Sequence, residues 1–180
     1  MDKRYWVGFN LIKGIGAVRL QALMDHFGDL EPACQAPLDA LQAAGLSLKL
    51  AERVIQVRSS VDLEKILERV TNQGIGILTW DDSLYPARLK EIDQPPPVLY
   101  IRGTLTTEDA WAVAVVGTRR VSAYGRQVTE ELAMYLAGNG VTVVSGLARG
   151  VDSIAHQSAL KAGGRTLAVL GSGVDQIYPP

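Results

Sequence analysis

From Trp111 onward short apolar runs alternate with amphipathic stretches, and that alternation limits the second half of the chain to few architectures. Ala112-Val-Ala-Val-Val116 reads as a buried central strand, and Tyr124–Ala137 as a helix with Val128, Leu132, Tyr135 and Leu136 on one face, closed by Asn139-Gly140. Val141–Ser145 is a second strand, Asp152–Ala162 a second helix closed by Gly163-Gly164, and Thr166–Leu170 a third strand. Buried strands separated by helices imply an α/β fold with a parallel sheet and right-handed crossovers. Ligands of such sheets sit beyond the carboxyl ends of the strands. Those ends are Gly117-Thr118-Arg119, Ser145-Gly146-Leu147-Ala148-Arg149-Gly150 and Gly171-Ser172-Gly173.

Three Gly/Ser/Thr-rich ends at one sheet edge predict a polar cleft with accessible backbone amides, a place to hold phosphate. Arg119 is the first choice for its charge, with Arg149 more distant, because the guanidinium fork bonds two phosphate oxygens at once. Thr118 and Ser122 add hydroxyls; Arg120 is open to a solvated reading, and Arg126 to an outward place on the helix. The same glycines also serve tight βα turns. Gly-x-Gly-x-x-Gly does not follow Val116, and no Gly-Lys-Ser/Thr occurs, so dinucleotide and Walker-loop readings are weak. Asp152 and His156 lie four apart on one helix. They are either an acid–base pair or, more commonly for such residues, a helix-terminal carboxylate and a packed histidine.

The net charge of −1 conceals a local bias: Gly117–Arg126 holds Arg119, Arg120 and Arg126 and no acidic residue. A polyanion partner is allowed there, although the chain as a whole is not basic. One cysteine, Cys34, allows no internal disulfide, and with two distant histidines, His26 and His156, no metal site is expected. No apolar run approaches the ~18 residues of a membrane span, and the sequence reads as cytoplasmic.

Residues 1–72 read as a small all-helical domain. Two helices within 4–27 are separated by Lys13-Gly14-Ile15-Gly16, followed by Leu38–Ala43, Leu48–Val57 and Asp62–Gln73. Apolar-x-Gly-apolar-Gly between helices is the helix-hairpin-helix pattern, in which Gly14 and Gly16 let amides approach a DNA phosphate; it equally fits a hairpin that needs glycine for packing. Residues 73–180 are expected to form the second domain, opening with strands Ile75–Trp80 and Val98–Arg102. The chain stops at Tyr178-Pro179-Pro180, directly after a strand and loop, the expectation being a fragment.

These residues together resemble the DprA/Smf family, the DNA-processing protein of natural transformation. The resemblance is carried by Gly14-Ile-Gly16 with Phe27-Gly28, Asp82-Ser-Leu-Tyr-Pro86, Pro96-Pro-Val-Leu-Tyr-Ile-Arg-Gly103, Val115-Val-Gly-Thr-Arg119 and Ser122-Ala-Tyr-Gly125. It continues through Ser145-Gly-Leu-Ala-Arg-Gly-Val-Asp152, Ala155-His156, Ala168-Val-Leu-Gly171, Gly173-Val-Asp175 and Tyr178-Pro179. The resemblance implies an extended Rossmann-like domain, incomplete at its C-terminus, behind a SAM-like or helix-hairpin-helix module. It implies a binding protein without chemistry or cofactor of its own, which grips single-stranded DNA, forms homodimers and loads RecA recombinase past single-strand-binding protein. Gly117, Thr118 and Arg119 carry over to the DNA pocket, with Ser145 and Gly146 as neighbours and Arg120, Ser122 and Arg149 alongside. Thr118 stands where many relatives have serine. The alternative is a nucleotide-processing LOG-like phosphoribohydrolase, whose Pro-Gly-Gly-x-Gly-Thr-x-x-Glu motif has no counterpart in these residues.

Overall fold

The computed structural model describes residues 2–176, so the expectation attached to Tyr178-Pro179-Pro180 lies outside the described residues. The chain forms two compact units, Met1–Gly103 and Thr104–Pro180.

The first unit contains α1 (Lys3–Asn10), α2 (Ala17–Phe27), α3 (Leu30–Gln35), α4 (Leu38–Ala43), α5 (Leu48–Ser60), α6 (Leu63–Asn72), β1 (Ile75–Thr79), α7 (Ala87–Lys90) and β2 (Val98–Arg102). Its core is built from large side chains, with Trp6, Phe9, Leu20, Leu23, Leu30 and Leu41 fully buried. The short α3 was not expected; its six residues are too few to show a helical period, and Asp29 caps its first turn by accepting from the Leu30 amide. β1 and β2 pair antiparallel, Ile75 opposite Arg102 and Thr79 opposite Val98. Val98 joins the helical core, Ile77, Trp80 and Tyr100 pack against it, and Trp6 meets Trp80 edge-to-face at 5.4 Å. The two strands foreseen at the head of the second domain therefore share the core of the helices.

The Asp82–Pro86 and Pro96–Gly103 motifs have a local role in this unit. Asp82 accepts from the Thr79 amide at 2.7 Å and pairs with Lys3 at 3.0 Å, which holds its carboxyl below the usual range against the opposing effect of burial. The Tyr85 hydroxyl at 2.8 Å and the Trp80 indole N–H at 3.2 Å both donate to the Pro96 carbonyl, closing the loop between the strands.

The second unit contains a 3₁₀ turn (Thr107–Ala110), β3 (Ala112–Ala114), α8 (Ala123–Gly138), β4 (Thr142–Ser145), α9 (Val151–Lys161) and β5 (Thr166–Ala168). The strands form a parallel sheet in the order β3-β4-β5, with Ala114 opposite Val144 and Ser145 opposite Ala168. This bears out the α/β architecture, but β3 is not the buried central strand expected over Ala112–Val116. It lies at an edge of the described sheet, ends at Ala114, and leaves Val113 and Val116 exposed; β4 occupies the centre and buries Val143. The expected face of α8 is also corrected. Val128, Leu132 and Tyr135 are exposed, and the helix instead buries Thr129, Ala133 and Ala137. Ala133 and Ala137 share a cluster with Ala155 and Ala159 of α9, and a Cβ on Gly164 would fall within 2.6 Å of the Ala137 Cβ. Close approach of the backbones decides the face, so the small residues go inside.

At the lower end of the sheet the Arg165 guanidinium grips Asp109 with two bonds, Nε to Oδ1 at 2.9 Å and Nη2 to Oδ2 at 2.8 Å. Asp109 also accepts from the Thr106 amide and the Thr142 hydroxyl, and with Arg165 these bonds hold its carboxyl down at about 2.

Candidate nucleic-acid interface

Because the three strands are parallel, their carboxyl ends share one edge of the sheet, and the loops after β3, β4 and β5 leave from it. The loop after β3 is held by its own side chains. Thr118 Oγ1 accepts from the Arg120 amide at 3.1 Å, and Ser122 Oγ caps α8 by accepting from the Gly125 amide at 3.1 Å. Gly117, Thr118, Arg119, Arg120 and Ser122 are all exposed. Among the described residues no carboxylate forms an ion pair with Arg119, Arg120 or Arg149, whereas Arg126 faces Glu130 one turn along α8 at 3.9 Å. Tyr124, in the first turn of α8, is 77% exposed beside this loop; its aromatic face was not singled out as a binding feature from sequence.

The first loop rests on the start of α9. The Val151 amide donates to the Thr118 carbonyl at 3.2 Å, and a Cβ on Gly117 would meet Val151 Cγ2 at 2.8 Å. Gly150 has φ +91° and passes so close that a Cβ there would lie 2.7 Å from the Arg119 Cα. This is a position that only glycine fits.

The second loop contributes differently. Ser145 is buried, its hydroxyl donating to the Val115 carbonyl at 2.6 Å, so it stitches β4 to the end of β3 rather than facing solvent. Gly146 is exposed, but its amide donates inward to Asp152 Oδ2 at 3.1 Å, and Gly117 donates to Asp152 Oδ1 at 3.4 Å. Leu147, with φ +56°, is the one non-glycine among the described residues in the left-handed region, which costs roughly 1–2 kcal/mol. Arg149 is exposed at the end of this loop. The third loop closes on itself, with the Gln176 amide donating to the Gly173 carbonyl at 2.9 Å and the Ser172 hydroxyl to the Gln176 carbonyl at 3.1 Å.

Asp152 and His156 share a helix face but are engaged apart. The Thr166 hydroxyl donates its single hydrogen to the Val143 carbonyl at 2.7 Å, so His156 Nδ1, 2.6 Å away, carries the proton of that contact. Burial pushes the imidazole pKa down, opposed by the Asp152 charge. A neutral histidine bonded to a strand and a carboxylate bonded to two amides form a scaffold, and no hydrogen bond joins the two as an acid–base pair among the described contacts.

In the helical unit, the turn Lys13–Gly16 sends Ile12 and Ile15 into the core. Gly14 has φ +106°, and Gly16 supplies the extended N-cap of α2. Arg19 donates to the Gly14 carbonyl at 2.6 Å and Arg53 to the Lys13 carbonyl at 3.0 Å, so two guanidinium-bearing residues, Arg19 exposed and Arg53 half-buried, flank the turn.

Residues 76–180 match the family described as DNA recombination-mediator protein A. The chain is 40% identical to protein Smf of Synechocystis sp. over 99% of its own length and 46% of that protein. It is 38% identical to DNA processing protein DprA of Bacillus subtilis over 65% of this chain and 40% of that protein. The X-ray structure of DNA processing protein A from Streptococcus pneumoniae superposes with a TM-score of 0.74 at 28% identity, covering 98% of this chain and 60% of that one. The chain thus spans about half the length of the curated relatives that it matches end to end. Among the described residues no helix is long and apolar enough to cross a membrane. The family match over 76–180, the parallel sheet with its glycine-rich strand ends and the likeness to a solved relative agree, and the chain belongs to the DNA recombination-mediator protein A (DprA/Smf) family.

Proposed function

We propose that this protein binds single-stranded DNA along the carboxyl edge of its parallel sheet and serves as a recombination mediator during natural transformation. The observation that carries the reading is the loop after β3, where Thr118, Arg119 and Arg120 stand exposed without a carboxylate partner among the described residues. Arg119 and Arg120 take backbone phosphates, the Gly117–Ser122 backbone sets their spacing, and Arg149 extends the positive strip from the second loop. Ser145 and Gly146 act from behind, by fixing the strand ends. The exposed ring of Tyr124 offers a face on which an unpaired base stacks, which favours a single strand over a duplex whose bases are already stacked. The names of the family and of its relatives support a DNA ligand.

The division in this reading is functional: a helical module, residues 1–72, and a DNA-binding part, residues 73–180, although the strands β1 and β2 pack with the helices. Gly14 and Gly16, flanked by Arg19 and Arg53, are an auxiliary phosphate contact of helix-hairpin-helix type. RecA recombinase, single-strand-binding protein and a second copy of the chain are the proposed partners, in the cytoplasm. The occupation of the Gly117 and Gly146 amides by Asp152 supports this binding role over a phosphoribohydrolase, whose nucleotide phosphate would need such donors. Fluorescence anisotropy with a labelled oligonucleotide tests the reading. Single strand should bind more tightly than the corresponding duplex, and Arg119→Ala should weaken the single-strand complex roughly tenfold, the worth of one charge-assisted bond. Equal binding by the variant would remove Arg119 from the interface.

A further inference from the structure

Two of the strand-end amides that an α/β fold normally offers to a ligand anion, those of Gly117 and Gly146, are already occupied from within. Asp152, 6% exposed in the first turn of α9, receives Gly146 N–H on Oδ2 at 3.1 Å and Gly117 N–H on Oδ1 at 3.4 Å. The contact is tight on the loop side too, since a Cβ on Gly146 would stand 2.8 Å from Asp152 Oδ2. One residue earlier, Val151 fills the space beneath Gly117 and donates its amide to the Thr118 carbonyl at 3.2 Å. The left-handed Leu147 sits directly after the Gly146 amide and carries the chain away from it. Two loops from different strands and the start of one helix thus converge on a single carboxylate.

We infer that Asp152 is the positioning residue of the nucleic-acid loop: as an internal anion it takes the place that a bound phosphate holds at the strand ends of nucleotide-binding α/β proteins, and so fixes the Gly117–Arg120 segment for a ligand gripped chiefly by side chains. The chemistry is consistent on both sides. A carboxylate offers acceptors to two converging N–H groups at a helix N-terminus, where negative charge is favoured. With the Gly117 and Gly146 amides satisfied, an incoming phosphate meets the exposed guanidinium groups and hydroxyls of the loop instead of those two donors. This assignment rests on the single-stranded DNA reading above for its functional consequence, but its structural content stands apart from that reading.

The sign of the effect separates positioning from simple charge. Asp152→Asn removes a negative charge near a polyanion site, which by charge alone tightens DNA binding. An asparagine, however, has one acceptor atom where the carboxylate has two, and so releases one of the two loops. Positioning therefore predicts roughly tenfold weaker binding of a labelled oligo-dT to Asp152→Asn, the worth of a hydrogen bond to a charged group. It also predicts that Asp152→Asn costs less in the Arg119→Ala background than in the wild type, because only Arg120 is then left to misplace, a non-additivity that general loss of fold would not give. Amide hydrogen exchange reads the clamp without DNA. Gly117 and Gly146 should be protected in the wild-type protein and should exchange at least about tenfold faster in Asp152→Asn, with the α8 and α9 amides unchanged. Gly146→Ala, which pushes on the same carboxylate from the other side, should give the same pattern if Asp152→Asn does not fold. Unprotected Gly117 and Gly146 amides in the wild type, or equal or tighter DNA binding by Asp152→Asn while Arg119→Ala binds more weakly, would overturn the inference. If Arg119→Ala changes nothing while the exchange pattern holds, the DNA assignment of the loop fails and the clamp stands.

Discussion

The two units of this chain build their interiors from different materials. The first fills its core with Trp6, Phe9 and several leucines, all fully buried, and its motifs lock loops onto that core through Tyr85, Trp80 and Asp82. The second brings two helices together through Ala133, Ala137, Ala155 and Ala159, and leaves Tyr124, Val128, Leu132 and Tyr135 of α8 in solvent, Tyr135 at 70%. Large buried groups give the first unit burial energy; small ones give the second close backbone approach, which brings Gly150 onto the Arg119 loop and Asp152 onto two amides. The helical unit is organised around its core, and the α/β unit around its sheet edge.

That contrast can be broken by mutation. The largest effect is expected from Leu23→Ala, which empties a fully buried site in the first unit and should cost about 2–5 kcal/mol in chemical denaturation. Ala155→Leu asks the opposite question of the second unit. Added bulk between α8 and α9 should cost about 1–3 kcal/mol through overpacking, and a neutral result would mean that the helices are not held at alanine distance.

The pH dependence sharpens the comparison at the base of the sheet. Asp109 lies at about 2 in the folded state against an ordinary 3.8, a depressed carboxylate whose stabilising effect is complete above 3.8 and disappears as pH falls through 2. Because Arg165 is partly exposed and screened, about 1–2 kcal/mol should be lost across that window, and Asp109→Asn should flatten the acid limb of thermal melts. The smallest effect belongs to Leu132→Ser on the exposed side of α8, expected within about 0.5 kcal/mol of wild type. A large loss there would restore the helix face expected from periodicity.

Much of this fold is visible in the sequence because its signals are local. Apolar spacing marks α2 and α5, Asn139-Gly140 and Gly163-Gly164 close α8 and α9, and the alternation from Trp111 onward points to a parallel sheet. The inward face of α8 was not visible, since a hydrophobic period follows its large residues and the contact runs through alanines. Strand pairing of β1 with β2 inside the helical core depends on a partner distant in sequence, which no local window reports. At the site, the exposed Thr118, Arg119 and Arg120 were legible from composition after a strand. The inward hydroxyl of Ser145 and the convergence of the Gly117 and Gly146 amides on Asp152 were not, because Ser145 bonds to Val115 and Gly117 to Asp152 across thirty residues or more of chain, which no local window reports.

If the loop after β3 holds a single strand's backbone, the salt dependence of binding reports it without intermediary. Affinity for a labelled oligo-dT should fall linearly with salt on logarithmic axes, and Arg119→Ala should lower the slope by about 0.7, the loss of one phosphate contact on a single strand. An unchanged slope together with unchanged affinity would contradict the account and move the DNA to another surface.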